Sequence, residues 1–159
     1  IFEKCLPLCV ISPSSALIHH SVFEEIGNFN ESLPACEDYD LWLRICSREA
    51  VLFIETAQII KHGGHADQLS RQHWGMDRFR IRSLDVLINR YRLSAEQQQQ
   101  AVTMLIKKLR ILLKGALKHD NQDVINECRP LLAHYYRRRR VNSTSFPGDP
   151  GLKHPAIPG

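Results

Sequence analysis

No apolar run in this chain approaches the roughly 20 residues that a helix needs to cross a bilayer, and no signal-peptide pattern stands at its start. A helical membrane span is therefore excluded. Paired cysteines are also lacking. The five present (Cys5, Cys9, Cys36, Cys46 and Cys128) are odd in number and scattered. No CxxC occurs, and no second pair completes a zinc site with Cys5 and Cys9. Reduced thiols in a cytoplasmic protein are the expectation. There is no internal repeat and no helix-turn-helix, zinc-finger or RNA-recognition signature. Aromatic residues are not interleaved with the basic ones, so nucleic acid is not an expected partner. The first residue is Ile1 rather than Met, which fits a fragment or a processed product.

What is there is the composition of an ordinary globular protein, 43% hydrophobic and 24% charged over 159 residues. That suffices for one domain or for part of a larger one. The net charge of +4 is unevenly spread. Arg137 to Arg140 form a run, and further basic residues lie from Arg71 to Arg92 and from Lys107 to Lys118. Such a distribution suits either an anionic partner or a solubilising face.

Residues 1–70 read as β-β-α-α-β-β. "LCVIS" ahead of Pro13 is a short apolar run, and "SALIHH" follows it. Ser21 and Glu24 match a capping box, opening a short helix that stops at Gly27. A second helix is expected from about Asp38 to Arg48. "AVLFIE" is dense in β-formers and reads as a buried strand, with "AQIIKH" as a second. The rest is helical in pattern. Residues 71–92 carry apolar positions at near-helical spacing. Residues 94–118 are the clearest helix, with Ser94 and Gln97 at its start and a stripe through Val102, Leu105, Ile106, Leu109, Leu112 and Leu113. A further helix over 121–136 is broken or restarted near Pro130. From 137 to 159 the chain is basic and then rich in Pro and Gly, and is expected to be disordered.

"LPACEDYDLWLRICSR", residues 33–48, sets three carboxylates before an apolar segment. At about 100° per residue, Asp38 shares a face with Leu41, Trp42, Ile45 and Cys46. Asp40 and Arg44, at i and i+4, lie opposite and read as a solvated ion pair. Glu37 and Asp38 complement the positive end of the helix dipole. Capping explains both, but a carboxylate at the edge of a core is also a candidate general base.

"SPSSALIHHSVFEEIGNFNESLPACEDYDLWLRICSR" resembles the C-terminal half of the catalytic domain of family 2 glycosyltransferases with the GT-A fold. Ser14, Phe23, Gly27, Phe29, Glu31, Glu37, Asp38, Asp40, Leu41, Trp42, Leu43 and Arg44 stand in that family's pattern. Asn30 departs from its commoner Asp. The resemblance implies an α/β fold: a partial GT-A, Rossmann-like sheet over residues 1–70, followed by a helical extension over 71–136 and the tail. It implies inverting transfer of a sugar from a nucleotide-sugar donor to a saccharide or lipid-linked acceptor. Asp38 would be the base, with Glu37 positioning the acceptor or the loop. It also implies a divalent metal, Mg²⁺ or Mn²⁺, on the diphosphate, where hard oxygen ligands suit such ions.

In "IIKHGGHADQLSR", His62 and His65 flank Gly63 and Gly64. Glycines allow a backbone to approach a phosphate closely. The resemblance places His62 where the family's histidine faces the diphosphate or its metal, with Gly63 and Gly64 beside it and His65 as a further metal candidate. The His-Ala-Asp insertion departs from the pattern. A nucleotide-binding half with a DxD motif is expected upstream, and without it these residues are expected to be inactive. Two other readings stand beside this one: a binding module whose basic helices hold an anionic partner, and an inactive truncated relic. Peripheral contact with the inner face of a membrane would use the same basic residues.

Overall fold

A computed structural model describes residues 1–60, 62 and 74–144, with side chains through 140. Its elements are α1 (Phe2–Cys5), a 3-10 turn (Pro13–Ser15), α2 (His20–Ile26), α3 (Glu37–Cys46), α4 (Asp77–Arg90), α5 (Ala95–Lys118) and α6 (Gln122–Thr144). Among the described residues there is no strand, so the expected α/β class with a partial Rossmann-like sheet is overturned. The physical reason lies in residues 51–60. Their β-forming side chains are present, but an extended segment becomes a strand only when a neighbour pairs its N–H and C=O groups. No described segment does so. Leu52, Phe53 and Ile60 are instead 80–89% exposed. "LCVIS" likewise forms no strand and leads into the 3-10 turn.

The long helices form a layered bundle. α4 packs on α5, α5 on α6, and α3 on α4, while α1 and α2 close over α3. The core runs through all of them, from Leu6, Tyr39, Leu41 and Leu43 to Leu84, Leu87, Leu105, Leu109 and Tyr135. α5 begins as its sequence specifies. Gln97 N–H donates to Ser94 Oγ (3.1 Å) and Ser94 N–H donates to Gln97 Oε1 (2.9 Å), satisfying two otherwise free donors. Gln97 Nε2 also donates to Ser47 O (3.0 Å), tying the start of α5 to the end of α3. Lys108 is a second tie. Its buried ammonium donates to Pro7 O (2.7 Å) and to Asp77 Oδ1 (2.9 Å), joining α5 to the segment after α1 and to α4. Burial pushes the Asp77 carboxyl up, but Lys108 and Arg80 outweigh it and hold the group below its usual range.

Two local expectations change. α2 starts one residue before Ser21, with His19 as its N-cap: His19 Nδ1 accepts from Ser21 N–H (3.3 Å) and lies 2.9 Å from Ser21 Oγ. α6 runs unbroken through Pro130 and continues through Arg137–Arg140 to Thr144. Residues 145–159 lie outside the described part.

Candidate active site around Asp38

α3 enters from a left-handed residue, Cys36 (φ 64°), so the chain turns sharply just before the two acids. Glu37 and Asp38 occupy the first two helical positions and are half-buried. From Tyr39 to Cys46 every residue is buried, so α3 is enclosed all round rather than on one face. Tyr39 OH donates to Leu6 O (2.6 Å) and anchors the helix start on the segment after α1. Burial raises the Tyr39 phenol well above its ordinary value, keeping it a neutral donor. The buried thiols of Cys5 and Cys46 make a second contact between α1 and α3.

Asp38 itself is held at both oxygens. Oδ1 accepts from Tyr39 N–H (2.7 Å) and Oδ2 accepts from the Cys9 thiol (3.2 Å). Cys9 also points its Sγ at Ile11 O (3.2 Å). Burial, then the bond to Asp38 and its negative charge, push the Cys9 thiol up to about 12. Near neutral pH, Cys9 therefore stays a donor rather than becoming a thiolate. Cys36, just before the acids, is raised by burial. Arg80 opposes that shift, while Asp38, Glu37 and Asp77 add to it.

Asp40 and Arg44 correct an expectation. They do form the i, i+4 pair, Arg44 Nε to Asp40 Oδ2 at 2.9 Å, but each residue is only 5% exposed. The pair is not solvated. Arg44 also donates from Nη1 to Ile26 O (2.8 Å) and Gly27 O (3.3 Å), and from Nη2 to Asn28 O (2.7 Å). Its guanidinium clamps the end of α2 and the turn that follows onto α3.

His62 is exposed, and Gly63, Gly64 and His65 lie outside the described residues. Among the described residues no group of three or more His, Cys, Asp or Glu side chains comes together to hold a metal ion. The described residues do not by themselves make a metal site. A half-open groove of about 490 Å³ is lined by Trp74, Met76, Asp77, Ile111, Ala116 and His119 among others. Neither Glu37 nor Asp38 belongs to its walls. Trp74, on its wall, is 58% exposed with the Arg78 guanidinium 3.9 Å above its ring, whereas Phe79 is in the core. The Cys9–Asp38 contact was not visible in the sequence. Twenty-nine residues separate the partners, and no spacing rule links them.

Sequence comparison adds a class. Over 69 residues, 42% of this chain, it is 42% identical to an uncharacterized glycosyltransferase of Rickettsia felis. Over the same length it is 39% identical to one of Rickettsia conorii and 38% identical to one of Rickettsia bellii. The matched stretch covers 10–11% of those proteins, so the chain spans only a small part of their length. No family model matches the chain, and no solved structure matches it. No helix among the described residues is long and apolar enough to cross a membrane. The similarity supports a link to glycosyltransferases as a broad class.

Proposed function

We propose that this chain carries the acceptor-side part of an inverting glycosyltransferase, with Asp38 as the general base. The observation that carries the reading is the state of Asp38. Its carboxylate is half-buried at the first turn of α3, both oxygens are held by donors, and no cation lies within ion-pair distance of it in the described structure. A base needs this combination of fixed geometry and uncommitted negative charge. The sequence resemblance to family 2 glycosyltransferases around residues 37–44 supports the same assignment, as does the similarity to the rickettsial glycosyltransferases.

In the reaction, an acceptor hydroxyl attacks the anomeric carbon of a nucleotide-activated sugar. Asp38 takes the hydroxyl proton as the new C–O bond forms. The bond to the leaving diphosphate breaks on the opposite face, and its electron pair leaves with the nucleoside diphosphate, so the configuration inverts. Glu37, next to Asp38 at the positive end of α3, would orient the acceptor. His62, with Gly63, Gly64 and His65, belongs to the donor side of this reading, where a divalent cation would neutralise the diphosphate. The activity needs a nucleotide-binding part that the described residues do not supply.

The test is Asp38→Asn in the complete polypeptide, supplied with UDP-, GDP- and dTDP-linked sugars. Nucleoside diphosphate release on acceptor addition should fall by about 10³-fold or more, beyond the usual 10²–10⁴-fold range for losing a base only if positioning fails as well. Donor affinity should change little. Turnover within a few-fold of the parent would remove Asp38 as the base.

A further inference from the structure

The Cys9 thiol reaches Asp38 from a segment remote in sequence. It approaches Oδ2, the oxygen that the helix backbone does not hold. A carboxylate bound at one oxygen still swings about its Cβ–Cγ bond. Bound at both, it presents its remaining lone pairs in one direction. We propose that Cys9 is a positioning residue for Asp38, its S–H fixing the carboxylate plane for proton transfer from the acceptor. The inference rests on the assignment of Asp38 as the base. Asp38 faces the thiol from α3 and Cys5 lies on its α1 side, while Ile11 O, also 3.2 Å from Sγ, competes with Asp38 Oδ2 for the single S–H proton. No cation is among the groups that act on the thiol, so its proton stays in place at neutral pH. A donor that must never leave is well served by such a thiol.

Two measurements test it. The first needs no activity. Iodoacetamide alkylation of Cys9 is followed against pH by peptide mass mapping, in the parent chain and in Asp38→Asn. Cys5, Cys36, Cys46 and Cys128 are buried, which leaves Cys9 as the thiol with partial access. Removing the charge should increase Cys9 alkylation near neutral pH by about tenfold or more, since each pKa unit changes the thiolate fraction tenfold. Burial remains, so reactivity should stay below that of a free thiol. The second uses the complete enzyme. Cys9→Ala should lower kcat by about tenfold with KM within about twofold, and Cys9→Ser, which keeps a donor, should recover most of the loss.

Unchanged alkylation in Asp38→Asn overturns the contact. Normal kcat in Cys9→Ala, alongside an inactive Asp38→Asn, overturns the positioning role while leaving the base intact. An active Asp38→Asn overturns the base, and the inference with it, whatever the alkylation shows.

Discussion

Arg44 shows how much of a structure one side chain organises. Its guanidinium meets the Asp40 carboxylate and three backbone carbonyls while the residue is almost fully buried. Arg44→Ala would leave a buried carboxylate unpaired and the Ile26, Gly27 and Asn28 carbonyls without their donors. Breaking a buried pair in this way costs about 3–5 kcal/mol. Arg44→Lys should recover only part, because a single ammonium cannot serve acceptors on several sides at once. Urea denaturation of the three proteins, with unchanged slope, measures both losses. A loss below about 1 kcal/mol for the alanine variant would mean that the pair behaves as a solvated one. Spacing made the Asp40–Arg44 contact legible in the sequence. Its burial was not legible, because the other acceptors arrive on α2 and the turn at Gly27. That turn needs glycine because φ is 87°, a conformation that residues with a Cβ rarely adopt.

At the scale of the element, a capping motif within one stretch of chain forms at Ser94–Gln97 but not at Ser21–Glu24, where His19 takes the cap. The Ser94–Gln97 box and the α5 stripe lie within one stretch of chain, so the sequence alone specifies them. α6 contradicts its local signal. Pro130 lacks the N–H that would bond Asn126 O, yet the helix continues for fourteen residues beyond it. Val124, Ile125 and Cys128 before the proline and Tyr135 after it are all buried, and their packing on α5 outweighs the break. The Tyr135 hydroxyl also donates to Asp85 Oδ1 on α4 (2.6 Å), pinning the second half of α6 to the bundle. Pro130 is exposed and makes no part of the core. Pro130→Ala should therefore raise stability, by up to about 3 kcal/mol, with no change in fold. Thermal unfolding followed by circular dichroism checks this. An unchanged or lower Tm would show that the proline fits its helix without cost.

At the scale of the molecule, the helical bundle is well filled while the segment after α3 is not. Val51, Leu52, Phe53 and Ile54, and after a four-residue gap Ile59 and Ile60, are 43–89% exposed. The expectation of a buried strand here is overturned on both counts: among the described residues there is no sheet, and these side chains are exposed. β-propensity reports fit to a neighbouring surface, so it cannot be realised by one segment alone. Contiguous apolar exposure of this kind drives self-association. The triple variant Leu52→Lys, Phe53→Ser, Ile54→Thr should therefore reduce self-association in sedimentation velocity. Because these residues lie outside the core, the variant's Tm should stay within a degree or two of the parent's, whereas a core truncation such as Leu105→Ala should cost about 2–5 kcal/mol. If the triple variant lost stability on that scale, these side chains would be packed in solution, and the all-helical bundle would be an incomplete description of how the chain buries its apolar surface.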